Sequence, residues 1–490
     1  MLQPSDFTEH ADVKQCLSAL QNQFGSQYDE LLVSDTLDAA GHQYVNLVQK
    51  GGGVLGIALV GYTFVLEAVG IRFLRLAGTS AGAINTAMLA AIGEDADPKG
   101  SAKSTRVLGY LCRLNFFDLV DGHPFARWAI RMFITNKSFA GTVKTGLKAL
   151  LFFVLVSLLL DGVFLGLSHR YDGAVPAAQV SFVLTGGLLT VLCALVFYGR
   201  YLLHRLHNRG YGINPGTYFY NWIAAMFEEN GVRSVSDLQA KVAAPVEGLW
   251  VRKASQSTQM LEGDVTFIAS ELASQNKIEF PKMCSLFRKD PDELHPAQFV
   301  RASMAIPLFF ESLLIPDVPV HDPAVQQAWD TIFGVAPGCI PATARFVDGG
   351  VLSNFPVNIF YNPRVTEPRL PTFGIDLDDS APQDPSLPDA PAWGLGGYAS
   401  HLLNTLRGYY DKDFLLKNKV FRRGIGTIRL QEYNWLNFFL SDQDKVTMFV
   451  KGAQAAQAFL TTFDWPAYQD ARSNLPNALG SPAPRPHASA

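Results

Sequence analysis

This 490-residue sequence is short of cysteine and of charge, and each shortage narrows what the chain can be. Its five cysteines, Cys16, Cys112, Cys193, Cys284 and Cys339, are scattered, odd in number and never spaced as C-x-x-C. That pattern fits reduced thiols in a cytosolic setting better than a disulfide framework. Charged residues make up only 17% and the formal net charge is −4, so nothing draws the whole chain to nucleic acid. The start, "MLQPSDFTEHADVKQ", lacks both a basic segment and an apolar run. No secretory signal is expected there, and the catalytic part should begin in the cytoplasm. Internal repeats of roughly 20 to 50 residues are absent as well. What the chain does hold is apolar surface: the hydrophobic share is 48%, with 34 phenylalanines, which leans toward a membrane.

Two runs concentrate that surface. Residues 149–168 read "ALLFFVLVSLLLDGVFLGLS" and residues 180–198 read "VSFVLTGGLLTVLCALVFY", each close to the roughly 20 apolar residues that span a bilayer. Arg127, Arg131, Lys137, Lys144 and Lys148 precede them, and Arg200, His204, Arg205, His207 and Arg209 follow. Basic outer flanks place both ends in the cytoplasm and the connector "HRYDGAVP" across the membrane, a transmembrane helical hairpin. His204 and His207 are read as a cap at the membrane surface, not as metal ligands. Asp161 lies inside the first run, where a charge costs at least about 2.5 kcal/mol. Two explanations stand: it faces the partner helix near Thr185, with Gly186 and Gly187 letting the backbones approach, or it ends a short first span at the far interface.

The chemistry is concentrated in glycine-rich turns. "YVNLVQ" at 44–49 is a strand, followed by "KGGGVLG" and a helical stretch that closes near Gly70. Gly51, Gly53 and Gly56 fit the dinucleotide fingerprint G-x-G-x-x-G. That reading also needs an acid about 20 residues on, at the end of the next strand. Arg75, Leu76, Ala77 and Gly78 stand there instead. The strand "FLRLAG" runs into "GTSAG", where Gly78, Ser80 and Gly82 spell G-x-S-x-G on a strand-to-helix turn, the setting a nucleophile elbow requires. The N–H groups of the Gly51–Gly53 turn, one βα unit earlier, are better read as an oxyanion hole beside Ser80. For the base, His321, His401 and His487 sit on no evident strand-end loop. Asp348 in "RFVDGGVLSNFP" follows a strand and precedes two glycines that permit a tight turn toward Ser80. The acidic stretch "DLDDSAPQDPSLPD" lacks calcium-loop spacing and reads as a solvated loop.

In this order "GGGVLG", "GTSAG" and "DGG", together with "RASMAIPLFF" and "GTYFYNWI", resemble the patatin-like phospholipases, here of bacterial type with an inserted hairpin. The resemblance covers residues 41–125 and 211–465. It implies a Ser-Asp dyad, with Ser80 the nucleophile, Asp348 the base, Gly51, Gly52 and Gly53 the oxyanion hole, and Gly78 and Gly82 shaping the elbow. It requires no metal and no organic cofactor. Leu55 stands where many members carry Arg or Lys, which bears on substrate preference more than on activity.

The expected fold is α/β: a three-layer patatin-like domain with a mostly parallel central sheet, interrupted by the transmembrane hairpin. The expected organisation is an N-terminal helical segment over 1–40, the first part of the domain over 41–125, the hairpin over 126–210, the second part over 211–465 and a disordered tail over 466–490. The expected function is acyl-ester hydrolysis of membrane phospholipid or lysophospholipid by a two-span protein of a bacterial inner membrane, its catalytic domain cytoplasmic. Two alternatives remain: an inactive lipid-binding or scaffolding membrane protein, and a serine hydrolase for soluble thioesters or peptides.

Overall fold

The computed structural model describes residues 2–93, 103–135, 139–171, 174–208, 210–253, 256–362, 364–365, 367–378, 402, 405 and 411–474. The acidic stretch beyond Asp378, His401, His487 and residues 475–490 lie outside them. The described chain divides into two compact units. The first holds Met1–Val120, Gly216–Pro307 and Ser312–Ala490; the second holds Asp121–Pro215 and Leu308–Glu311.

Short apolar and β-branched runs form twelve described strands: β1 (Thr36–Leu37), β2 (Gln43–Gln49), β3 (Ile71–Thr79), β4 (Gly212–Asn214), β5 (Trp250–Val251), β6 (Asp264–Glu271), β7 (Asn276–Phe280), β8 (Leu308–Phe310), β9 (Leu313–Ile315), β10 (Ala344–Asp348), β11 (Thr372–Asp378) and β12 (Ile425–Arg429). Ten of them make one sheet of the first unit, ordered β12-β11-β2-β3-β6-β10-β9, with β1, β5 and β7 paired off this path. Its centre is the expected parallel sheet, since β12, β11, β2, β3 and β6 all run the same way. The sheet as a whole is mixed, because β10 pairs antiparallel with β6, and β9 antiparallel with β10.

A central parallel strand must be buried on both faces, and every residue of β2 is buried. The covering helices are correspondingly apolar on nearly all sides. In Gly56–Ala68, the residues Leu59, Val65 and Leu66 have 1% exposure or less, each worth roughly 1.5–3 kcal/mol on burial. The helix Asp442–Thr462 packs against it. Two helices, Pro4–Thr8 and Ala11–Phe24, lie in the N-terminal segment. The disordered tail expected from 466 is corrected at its start: Trp465–Ser473 is a helix, capped by Asp464 and anchored by buried Trp465 and Tyr468.

In the second unit, Phe139–Ser168 and Val175–Asn208 are helices long and apolar enough to cross a membrane, and only 11% of either apolar window is buried. Their shared seam consists of Val154 and Asp161 on one helix and Ala178, Ser181 and Thr185 on the other, all below 9% exposure. Seven-residue spacing from 154 to 161 and from 178 to 185 keeps these side chains facing each other. The hydroxyl of Ser181 donates to Asp161 Oδ1. Asp161 therefore faces its partner helix, one turn from the expected position at Thr185. Gly186 and Gly187 do not mediate a close approach, for a Cβ added at either would meet open space. The unit also includes the short parallel pair β4 and β8, outside the expected 126–210.

Candidate active site

The site forms where β2 and β3 end side by side. Their parallel register pairs Gln49 with Gly78, so the turn after β2 lies next to the turn after β3. That second turn is sharp. Ser80 sits at φ 53°, ψ −119°, between the last residue of β3 and the helix Ala81–Ala91. Such a conformation costs of order 1–3 kcal/mol for a non-glycine residue. It is held by the Ser80 N–H, which donates to Ser303 Oγ at 2.9 Å. The two flanking glycines are dictated by contact: a Cβ on Gly78 would overlap the Gly82 backbone, and one on Gly82 would overlap the carbonyl of Gln49.

Asp348 ends β10 on the other side of β6. The register carries it to the right height, since Thr79 pairs with Ile268 and Asp348 with Ala269. The Ser80 hydroxyl donates to Asp348 Oδ2 at 2.6 Å, in the short range of a charge-assisted bond. The other oxygen, Oδ1, accepts the Gly350 N–H at 2.7 Å, and the Asp348 N–H is tied to the Ala305 carbonyl at 2.9 Å. Both side chains are buried, Ser80 at 5% and Asp348 at 4% exposure. His321 is exposed and far from an equivalent role; Ser80 meets a carboxylate directly.

The glycine turn is fixed from three sides. Lys50 Nζ bonds Asp376 Oδ1 at 2.7 Å and the Leu377 carbonyl at 2.9 Å. Gly53 has φ +56° and lies so close to the Trp435 carbonyl that no side chain fits. Gly51 departs from the expected donor role, because its N–H is bonded to the Asn354 carbonyl at 3.0 Å. Among the described residues, the N–H groups of Gly52, Gly53 and Ala81 have no protein partner. Ala81 also begins the elbow helix, whose N-terminus carries the positive end of the dipole.

Four supporting residues escaped the reading of the sequence. Ser303 and Ala305 lie within the quoted "RASMAIPLFF", so a signal existed, and they hold Ser80 and Asp348 respectively. Asn354 clamps Gly51 through its carbonyl and its Nδ2, the latter at 3.3 Å. Asp411 had no local signal at all. Its buried carboxylate accepts Ser353 Oγ at 2.8 Å and the N–H groups of Asn354 and Phe355 at 2.8 and 2.9 Å. Burial pushes its carboxyl pKa above the usual value, against the bonds from Phe355, Ser353 and Asn354 and the charge of Lys277.

A serine hydroxyl on a buried carboxylate, beside unpartnered backbone N–H groups, is equipped for acyl transfer. The family model for patatin-like phospholipase matches residues 47–129 and 191–361, just over half of the chain. The chain belongs to the patatin-like phospholipase family. Lipid hydrolysis is thus its general activity. The uncharacterized protein YqhO of Bacillus subtilis (strain 168) is a relative, 25% identical over 417 residues that cover 85% of this chain and 98% of YqhO. Among solved structures, VipD from Legionella pneumophila is similar over 88% of this chain and 70% of VipD, at 15% identity and a TM-score of 0.36. Within this phospholipase fold the family match ends its first block past the elbow and resumes inside the second long apolar helix.

Proposed function

We propose that the chain is a phospholipase A or lysophospholipase that cleaves carboxylic esters of membrane lipids through a Ser80–Asp348 dyad. The observation that carries this reading is the 2.6 Å bond between Ser80 Oγ and Asp348 Oδ2. Asp348 takes the hydroxyl proton as Ser80 attacks the ester carbonyl, and the negative charge forms on the carbonyl oxygen. The N–H groups of Gly52 and Gly53, with that of Ala81, are the donors for that oxygen, each worth on the order of 10²–10³ in rate. Collapse breaks the ester bond, and the departing alcohol receives the proton from Asp348. Water then attacks the acyl-serine with Asp348 again as base, releasing fatty acid and restoring the Ser80 hydroxyl. Gly51 positions the loop and does not donate.

The two long apolar helices are the anchor of this enzyme in a membrane, a reading favoured by their exposure along most of their length. In a soluble core such helices would be covered. Their basic outer flanks favour cytoplasmic termini, and with them a cytoplasmic catalytic unit at a bacterial inner membrane.

The test is to incubate purified protein with vesicles of mixed membrane phospholipids and lysophospholipids and to measure the products by mass spectrometry. Free fatty acid should appear, matched by loss of one acyl chain. The Ser80→Ala variant should release none and should lose labelling by a fluorophosphonate probe. An alanine variant as fast as the wild type would refute the assignment.

A further inference from the structure

The long helices of the second unit carry a charge pattern that spanning a bilayer does not require. No acidic residue stands between Asp121 and Asp161 or between Asp172 and Glu228, whereas nine lysines and arginines fall between Asp121 and Glu228. Four of these cations, Lys144, Lys148, Arg200 and Arg205, lie on the two helices, all toward one end. The helices hold 30 and 34 residues, about 45 and 51 Å at 1.5 Å per residue, against a hydrocarbon core of about 30 Å. Most of the excess lies at the end with the cations, because the apolar run of the first helix begins only at Ala149 and that of the second ends at Tyr198. Lys144, Lys148 and Arg200 are exposed there, and Arg205 is half-buried. The bond from Ser181 to Asp161 sets the register of this antiparallel pair. Residues equally far before Asp161 and after Ser181 stand level, so Lys144 is level with Tyr198 and within one turn of Arg200 and Tyr201 in height. The rings of Tyr198 and Tyr201 stack 6.4 Å apart, as an aromatic belt at a membrane interface does. Among the described residues, no carboxylate pairs with any of the four cations.

We propose that Lys144, Lys148, Arg200 and Arg205 form a collar that binds anionic phospholipids of the leaflet where the helix ends emerge. The inference rests on the reading of the hairpin as a membrane anchor and adds which lipids gather around it. The occupant follows from what adjoins the charge. Phe197 and Leu203 beside the cations are 71% and 68% exposed, so a partner has to present negative charge and hydrocarbon together. A phospholipid of net negative charge does both; an acidic peptide offers the charge alone. The long lysine and arginine side chains lay their stems along the acyl chains and carry their heads to the phosphates. Each such cation at an anionic surface strengthens the attraction about fivefold.

The test uses the full chain carrying Ser80→Ala, so that no lipid is consumed, in detergent micelles mixed with equal amounts of phosphatidylglycerol and phosphatidylcholine of the same acyl chains. After affinity capture and washing, the retained lipids are counted by mass spectrometry. Phosphatidylglycerol should exceed phosphatidylcholine by at least about fivefold, the weight of one cation, and the excess should vanish in about 1 M salt. Adding Lys144→Gln, Lys148→Gln, Arg200→Gln and Arg205→Gln should return the ratio to unity. Adding Lys14→Gln, Lys289→Gln and Lys417→Gln, which remove exposed cations of the first unit, should leave it unchanged. Equal retention by the intact collar, or an excess that survives the four collar substitutions, would overturn the proposal. If the collar variant does not fold, the salt arm decides, for an excess that persists in salt is not held by charge. Displacement of the lipid by millimolar inorganic phosphate, or by a polyglutamate peptide of equal charge, would overturn lipid as the occupant. Alkaline carbonate extraction keeps the two readings apart. Release of the chain from membranes would overturn the anchor and this inference with it, while a chain that stays embedded yet retains both lipids equally overturns the collar alone.

Discussion

Replacing Asp348 by asparagine separates the chemistry of the proposed dyad from its architecture. Asparagine is nearly isosteric, so an amide oxygen in place of Oδ1 can still accept the Gly350 N–H that lies 2.7 Å away. The other position becomes an NH₂ group facing Ser80 Oγ across the 2.6 Å contact. It donates where the carboxylate accepted, so the hydroxyl loses its proton acceptor. Loss of general-base catalysis is worth roughly 10²–10⁴ in rate, equivalent to about 2.7–5.4 kcal/mol of activation barrier. Stability should not fall in parallel. The substitution removes a carboxylate that is 4% exposed, and neutralising a buried charge while keeping its shape is often harmless or stabilising. The expected result is therefore a variant with a thermal midpoint at or above that of the wild type and turnover reduced at least about 100-fold. Asp348→Ala provides the contrast, because it leaves the buried Gly350 N–H without this acceptor at a cost of about 1–3 kcal/mol. Retention of wild-type turnover within about threefold by a folded Asp348→Asn protein would refute the role of Asp348 as base.

Further substitutions probe the supports. Gly82→Ala puts a methyl group into the backbone at the end of β2 and should destabilise by about 1–3 kcal/mol or more in urea melts, with loss of probe labelling; a neutral result would mean that the elbow can open. Asp411→Ala leaves three donors of the 353–355 turn unpaired, at about 1–3 kcal/mol for each that stays buried, and should lower kcat because that turn holds Gly51; Asp411→Asn should restore most of both. The raised Asp411 pKa also fixes a pH trend. The folded state binds this proton more readily than the unfolded chain, so its stabilising contribution is complete below the unfolded pKa and is lost as pH rises through the folded one. The stability of wild type relative to Asp411→Asn should therefore decline from about pH 4 upward, and an increase would contradict the shift. Finally, cysteine placed at Asp161 in the hairpin should resist a membrane-impermeant thiol reagent, since that position is 7% exposed against the partner helix; ready labelling would make it an interfacial residue.

Much of the site was legible because it is built from local geometry. A strand, a glycine-flanked serine and a helix of small residues can form only a sharp turn, and that turn is where Ser80 lies. The hairpin was legible for a different reason: long apolar helices advertise themselves by composition, whatever surrounds them. Where the reading slipped, the deciding partner was distant in sequence. Gly51 belongs to the right loop, but its N–H is taken by Asn354, which only the fold brings near. Asp161 does face its partner, but meets Ser181 because the packed helices adopt a register that a symmetric hairpin does not predict.

The sequence by itself therefore determined the elbow, the glycine turn and the two long apolar helices, since each depends on contacts within a few turns of chain. The pairing of Ser80 with Asp348 spans 268 residues, and no local rule fixes it. It arises because β6 lies between the two strands, parallel to β3 and antiparallel to β10, in a register that brings Asp348 level with the end of β3. The same holds for Asp411, whose carboxylate gathers three donors from a turn more than 50 residues earlier. Tertiary structure decided these points because strand order and register are set by burial of whole faces, a property of the assembled sheet that no single segment carries.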